Sequence, residues 1–334
     1  LSIFHHFNRT ICNKICELVQ LYRLKRCKVA NYAYFCRNIK QSYNMTTIYF
    51  DQFAISGMSE PTNNLWYQIR NILFDLKSQN KICCCTSPET IFETSQRHCM
   101  GVIDNYAIIS KLLDNCYLND IRTIICQQIA KDIKDIESNP FLYVNHNFTS
   151  NEFNSSLKKV IQYEFDSKDI PSFPIEMSDK QITCFVKILY DNRKRMFFNS
   201  IESYITGNQS NDIYAEICRI LVEQFDFTKF DFQTLLNNIQ YGDFRCCPTL
   251  RIQNLLEPYI FVSEKEVKNN ITFKNDLFDI RRISSAIPYC DILLCDSKWK
   301  NCLRKLNIDD EYNIKVFSAK SVDLKEFESY LSSL

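Results

Sequence analysis

At 334 residues, with 46% hydrophobic and 13% aromatic content, the chain can bury one large core or two smaller ones, and global disorder is excluded. It has only four glycines (Gly57, Gly101, Gly207 and Gly242), too few for the Gly-rich phosphate cradles of dinucleotide-binding and P-loop proteins. Net charge is +1 but uneven: residues 1–44 hold eight Lys or Arg against Glu17 alone, a net of +7, leaving −6 on residues 45–334.

Seventeen cysteines occur with no C-x-x-C pair, and several are adjacent, as in Cys83-Cys84-Cys85 and Cys246-Cys247. Zinc knuckles need paired thiolates at loop spacing, so cysteine is expected here as a small buried hydrophobe in a reducing cytoplasm. No uncharged apolar run reaches membrane-spanning length, and no membrane association is expected. The chain begins with Leu1, and Met45 opens MTTIYFDQFAIS, a polar start running into an apolar strand. Translation from Met45 is therefore one expectation, with 1–44 as upstream sequence read in frame. The alternative is a basic helical extension that binds a partner.

In chain order, Thr46–Phe50 reads as a strand ending at Asp51, and 64–77 as a helix with Leu65, Trp66, Ile69, Ile72, Leu73 and Leu76 at helical spacing. KICCCT (81–86) reads as a buried strand. Ser87 and Pro88 supply an N-cap and a first-turn proline for a helix to Leu113. From 114 to Pro258 the pattern is mostly helical, with breaks at Ser138–Pro140, Pro171–Pro174, Gly207-Asn208 and Gly242. The β/α rhythm then returns: helix 276–287, strand 291–295, helix 297–306, strand 314–317, and a last helix with Asp323 and Glu326 as a capping box.

Strands alternating with helices at both ends predict an α/β fold with a parallel sheet flanked by helices, formed by 45–113 and 259–334, and a large helical insertion at 114–258. The crevice outside the carboxyl ends of the strands is then the expected site. Asp51 and Asp296 each follow an apolar strand and belong to that rim. In helix 276–287, steps of 100° place Asp276 and Asp279 with Ile280, Ile283 and Ile287 on one face, and Arg281, Arg282 and Ser285 opposite. The two carboxylates would share the inward face, where desolvation and repulsion penalise the charged form. With both arginines turned away, Mg²⁺ or Mn²⁺ is the expected compensation, and such ions serve phosphodiester hydrolysis. Asp276 and Asp291 also admit a purely structural role, as helix cap and strand-end turn residue.

TIYFDQFAIS (47–56), SPETIFETS (87–95) and NDLFDIRRISSAIPYCDILLCDSKW (275–299) together resemble the PIN-like nuclease superfamily, over about 55 residues at each end of 45–334. The wording NDLFDI followed by PYCD is similar to a group of bacterial PIN-like proteins. The resemblance implies a compact parallel sheet and a metal-dependent endonuclease, with RNA a more natural substrate than DNA. It implies catalytic roles for Asp51, Glu93, Asp279 and Asp296, with Asp276 added to them as a ligand of Mg²⁺ or Mn²⁺. Glu89 is the alternative to Glu93, and Ser297 and Lys298 stand where the pattern has a further acid. A catalytically inactive PIN-like module that binds or regulates a partner protein is the second expectation.

Other signals point less far. Asp296-Ser297-Lys298 is similar to the D-x-K tail of restriction-type nucleases, but its pair follows the strand and opens a helix. A haloacid-dehalogenase-type phosphatase would need an acid where Phe53 stands. His5, His6, His98 and His146 have no partner four residues on, which leaves a zinc protease unsupported. The run DNRKRMFF (191–198) could touch nucleic acid but reads better as a solvated helix face above buried Phe197 and Phe198. Cys184 and Cys218 are expected in the core.

Overall fold

A computed structural model describes residues 45–60, 64–95, 99–114, 116–143, 179–208, 213–263 and 270–334. Residues 1–44, the Pro171–Pro174 break, His98 and His146 lie outside these, so the expectations made for them do too. Residues 45–334 form one compact unit.

Strand β1 (Thr46–Phe50) places Ile48, Tyr49 and Phe50 in full burial. It runs into helix α1 (Gln52–Ser59), which the sequence pattern does not predict, because QFAISGMS is only two turns long and carries a glycine and two serines. Asp51 starts that helix by accepting the Gln52 N–H at 2.7 Å. Helix α2 (Asn64–Ser78) and strand β2 (Ile82–Cys85) follow as expected.

The single helix expected from Ser87 to Leu113 is two, α3 (Pro88–Ser95) and α4 (Cys99–Leu113). Near the end of α3, the Thr94 hydroxyl donates to Gln52 Oε1 at 2.7 Å, which ties this short helix to α1. The middle of the chain is not wholly helical. Strands β3 (Cys116–Leu118) and β4 (Phe141–Tyr143) form an antiparallel pair on either side of α5 (Ile121–Lys134), interrupting a stretch whose pattern reads as helical.

Helices α6 (Asp179–Thr206), α7 (Ile213–Phe225), α8 (Lys229–Gly242) and α9 (Pro248–Ser263) complete this region. The break after α6 is the one expected, with Gly207 at φ +82°, a conformation open to glycine without a Cβ penalty. Pro258, expected to end the helical stretch, lies inside α9. Burial of Ile252, Leu256 and Tyr259 along this helix outweighs the hydrogen bond that proline removes. Phe197 and Cys218 are buried as expected, but Cys184 is exposed.

Helix α10 (Asn270–Ala286) starts six residues before Asp276, so that residue is no N-terminal cap. Strand β5 (Ile292–Leu294), helices α11 (Ser297–Lys305) and α12 (Ile308–Tyr312), strand β6 (Lys315–Phe317) and helix α13 (Ser321–Ser332) end the chain. The expected Asp323–Glu326 capping box is not formed. Asp323 sits in the first turn and accepts from the Ser318 hydroxyl at 2.6 Å and the Ser318 N–H at 3.1 Å.

The protein is thus mostly helical around a small four-stranded parallel sheet of order β2-β1-β5-β6. Alternation along β1 sends Ile48 and Phe50 to one face, with α1, α2, α4 and α13. Tyr49 goes to the other face, with α9, α10 and α11. A third cluster joins α5 to α6, α7, α8 and α9. Strand ends at Phe50, Cys85, Leu294 and Phe317 lie on one rim, and Asp51, Thr86-Ser87, Cys295-Asp296 and Ser318 follow them. No described helix is long and apolar enough to cross a membrane.

Candidate acidic site at the sheet rim

The four aspartates of 275–299 have four different surroundings. Asp291 accepts the Thr47 N–H at 2.8 Å and fixes the start of β5 beside β1. Asp276 is buried and paired with Lys298 at 2.8 Å. Asp279 is half-buried, accepting the Trp299 indole N–H at 2.8 Å through Oδ2. Asp296 is exposed at the N-cap of α11 and makes no side-chain capping bond.

Arg282 corrects the expected picture of the site. Instead of pointing away, its guanidinium lies among the carboxylates of Asp51, Glu93 and Asp279. Nη1 is 2.7 Å from Glu93 Oε2 and 3.1 Å from Asp51 Oδ1, while Nη2 contacts Glu93 Oε1 at 3.3 Å and Asp279 Oδ1. Two physical reasons explain the difference. Three helical steps leave Arg282 only about 60° from Asp279 around the axis, within reach of a long side chain. Moreover, α10 is buried at almost every residue from Asp276 onward, so there is no solvent side to receive the arginines.

Arg281 is likewise buried, 3.3 Å from both Glu89 and Asp120. Of the two candidate glutamates, Glu93 therefore meets Asp51 and Asp279 around Arg282, and Glu89 belongs to the neighbouring Arg281 network. Asp120, at the N-cap of α5, was not singled out by sequence. Despite burial, Arg281 and Arg122 hold its carboxyl below the ordinary range. Lys298 points to Asp276 and also stacks 5.0 Å from the Trp299 ring centroid, so the Asp-Ser-Lys run is split between two partners.

Electrostatics around Arg282 remain strained toward excess negative charge. Burial raises the Asp51 carboxyl, and the Glu93 and Asp296 charges add to this against the opposing effect of Arg282. Burial likewise raises Asp279 to about 6, with Arg282 opposing and Asp51 adding. Burial works against the Arg282 charge, yet Asp51, Asp279 and Glu93 hold its pKa well above the usual arginine value. Beneath them, Tyr49 is pushed up by burial and by Asp51, and its hydroxyl donates to Ser87 Oγ at 3.1 Å.

Hard carboxylate oxygens and surplus negative charge are what Mg²⁺ and Mn²⁺ favour. Five of the six oxygens of Asp51, Glu93 and Asp279 already face N–H groups, however. Among the described residues, no group of three or more His, Cys, Asp or Glu is arranged to hold a metal ion. The donor chemistry fits such an ion, whereas the arrangement around Arg282 presents no open set of oxygens to it. No protein-family model, curated protein or solved structure matches the chain.

Proposed function

We propose that this protein is a divalent-metal-dependent endonuclease of the PIN-like type, hydrolysing RNA phosphodiesters in the cytoplasm. The observation that carries the reading is the meeting of Asp51, Glu93 and Asp279 from three separate elements at the carboxyl rim of a parallel sheet, with Asp296 close enough to raise Asp51. Three acids face one arginine, with Asp296 near Asp51, a set that retains net negative charge, and burial raises Asp51 and Asp279 despite Arg282. Mg²⁺ or Mn²⁺ there would supply Lewis-acid stabilisation of a phosphodiester and a more acidic water. Asp51 and Asp279 would hold the ion, Asp279 oriented by the Trp299 indole. Asp296, exposed and uncommitted, is placed to accept a proton at its carboxylate from the attacking water. Glu93 completes the acidic rim, whereas Asp276 is held by Lys298.

Labelled single-stranded RNA and DNA incubated with the full chain, in Mn²⁺ or in chelator, test this reading. RNA cleavage is expected only with metal, and Asp51→Asn and Asp296→Asn are each expected to lower it by about 100-fold or more. Cleavage that survives both substitutions, or no cleavage at all, overturns it.

One observation favours a second reading. Arg282 already bridges three of the carboxylates, as in a structural ion network, and this suits an inactive PIN-like module that binds nucleic acid or a regulatory protein. Thermal melting separates the two readings, because Mn²⁺ raises the melting temperature only where the carboxylates take the ion.

A further inference from the structure

We infer that Arg282 is the built-in counter-cation of the acidic rim, and that its guanidinium and a divalent ion are alternative occupants of the same carboxylates. This rests on the metal-dependent reading above and concerns the regulation of that site: metal loads only when Arg282 withdraws.

The oxygens carry the first part of the case. Arg282 engages four oxygens at once: Asp51 Oδ1, which also accepts the Gln52 N–H, both oxygens of Glu93, and Asp279 Oδ1. A Mg²⁺ or Mn²⁺ ion needs oxygens converging at about 2.0–2.1 Å, and a guanidinium lodged between them holds them apart. Asp279 and Arg282 also stand one turn apart on the same helix, so neither can leave by moving the helix alone.

The second part is that Arg282 is incompletely satisfied. Its side chain is 4% exposed, yet Nε is buried with no hydrogen-bond acceptor. A buried charged donor without an acceptor lowers the barrier to release, because leaving restores its hydration. The third part is a route. Glu93 is the most open of the three acids at 31% side-chain exposure, against 12% for Asp51 and 15% for Asp279, and it grips the guanidinium with both oxygens. Pivoting on Glu93 toward solvent frees Asp51 and Asp279 while keeping one charged pair intact. Glu93 then serves as the parking partner of the arginine, and Asp51 and Asp279 become the receiving oxygens, with exposed Asp296 beside them.

Calorimetric titration of the full chain with Mn²⁺ tests this, comparing wild type, Arg282→Met and Arg282→Lys. Met removes the competitor, and binding is expected to tighten about tenfold or more, equivalent to about 1.4 kcal/mol of competition. Lys keeps a charge but cannot span three carboxylates, so an intermediate affinity is expected even where the Met variant folds poorly in chelator. Melting in chelator and in Mn²⁺ gives an independent readout: Arg282→Met is expected to melt lower than wild type without metal and to gain more from Mn²⁺. Wild-type binding and RNA cleavage with no gain in either variant overturns the competition and leaves the nuclease reading standing. Absence of Mn²⁺ binding and of cleavage in all three proteins overturns both.

Discussion

Asp279 stands between two demands. It is held by the Trp299 indole and by Arg282, yet burial and the Asp51 charge raise its pKa from 3.8 to about 6. A carboxyl with a raised folded-state pKa binds its proton more tightly folded than unfolded, so stability falls as pH rises. The penalty is absent below about pH 4, grows through the window up to about pH 6 and is fully present above it. Asp279→Asn keeps the shape and an acceptor for the indole while removing the charge. At pH 7 in chelator it is therefore expected to stabilise the protein by up to about 3 kcal/mol, two pKa units at about 1.4 kcal/mol each. The same substitution is expected to abolish any Mn²⁺-induced rise in melting temperature. Chemical denaturation at pH 5 and pH 7 checks the first point, and a destabilised variant at pH 7 would mean that the Arg282 pair outweighs the repulsion. Asp51, Asp279 and Asp296 were legible in the sequence because each follows a strand or lies on the apolar face of a helix, whereas Glu93 came only from the resemblance. Arg282 was not, since an amphipathic helix is expected to have a wet side, and α10 has none from Asp276 onward. The i, i+3 spacing of Asp279 and Arg282 was the available signal.

Helices α1 and α2 illustrate how contact distance acts at the level of elements. A Cβ on Gly57 would lie 2.5 Å from Trp66 Nε1 and 2.6 Å from Cε2, and that ring is only 5% exposed. Alanine is a better helix former by about 1 kcal/mol, but the buried indole cannot give way without disturbing Ile69 and Leu73 below it. Gly57→Ala is thus expected to destabilise by a net of about 1–3 kcal/mol, measured as a lower urea midpoint with unchanged slope. Because α1 starts from Asp51, the variant is also expected to weaken Mn²⁺ binding by several-fold. A neutral or stabilising outcome would mean that α1 can slide off α2. The same helix shows why local pattern was insufficient here: QFAISGMS has glycine, a β-branched residue and two serines, and only tertiary packing makes it helical. By contrast β1, β2, α2, β5 and α11 carry clear periodicity or capping residues and were legible to within one or two residues. Strands β3 and β4, no shorter than β5, were missed because they interrupt a stretch whose pattern reads as helical.

Across the whole molecule, the helical middle of the chain and the sheet share their interiors. Val186 of α6 and Ile252, Leu256 and Tyr259 of α9 enter the same core as Tyr49, Ile280 and Trp299, and Leu255 packs against both this core and the helical cluster. Polar bonds reinforce the seam. Gln128 of α5 donates to Thr249 Oγ1 and to the Tyr289 hydroxyl at 2.9 Å each and accepts the Thr249 N–H at 3.0 Å. Arg281 spans Glu89 of α3 and Asp120 at the head of α5. With core and polar bonds crossing it, the seam should not open before the parts on either side. Both tryptophans, Trp66 and Trp299, lie in elements packed on the sheet, whereas far-ultraviolet circular dichroism is dominated by the many helices. Urea transitions followed by tryptophan fluorescence and by circular dichroism are therefore expected to coincide. Arg281→Met is expected to leave Glu89 buried without its arginine, at about 3–5 kcal/mol, while half-buried Asp120 keeps Arg122 at 3.0 Å. It should shift both transitions to lower urea together. A dichroism phase that separates from the fluorescence, in either protein, would mean that α6 to α8 fold independently of the sheet that carries the acidic rim.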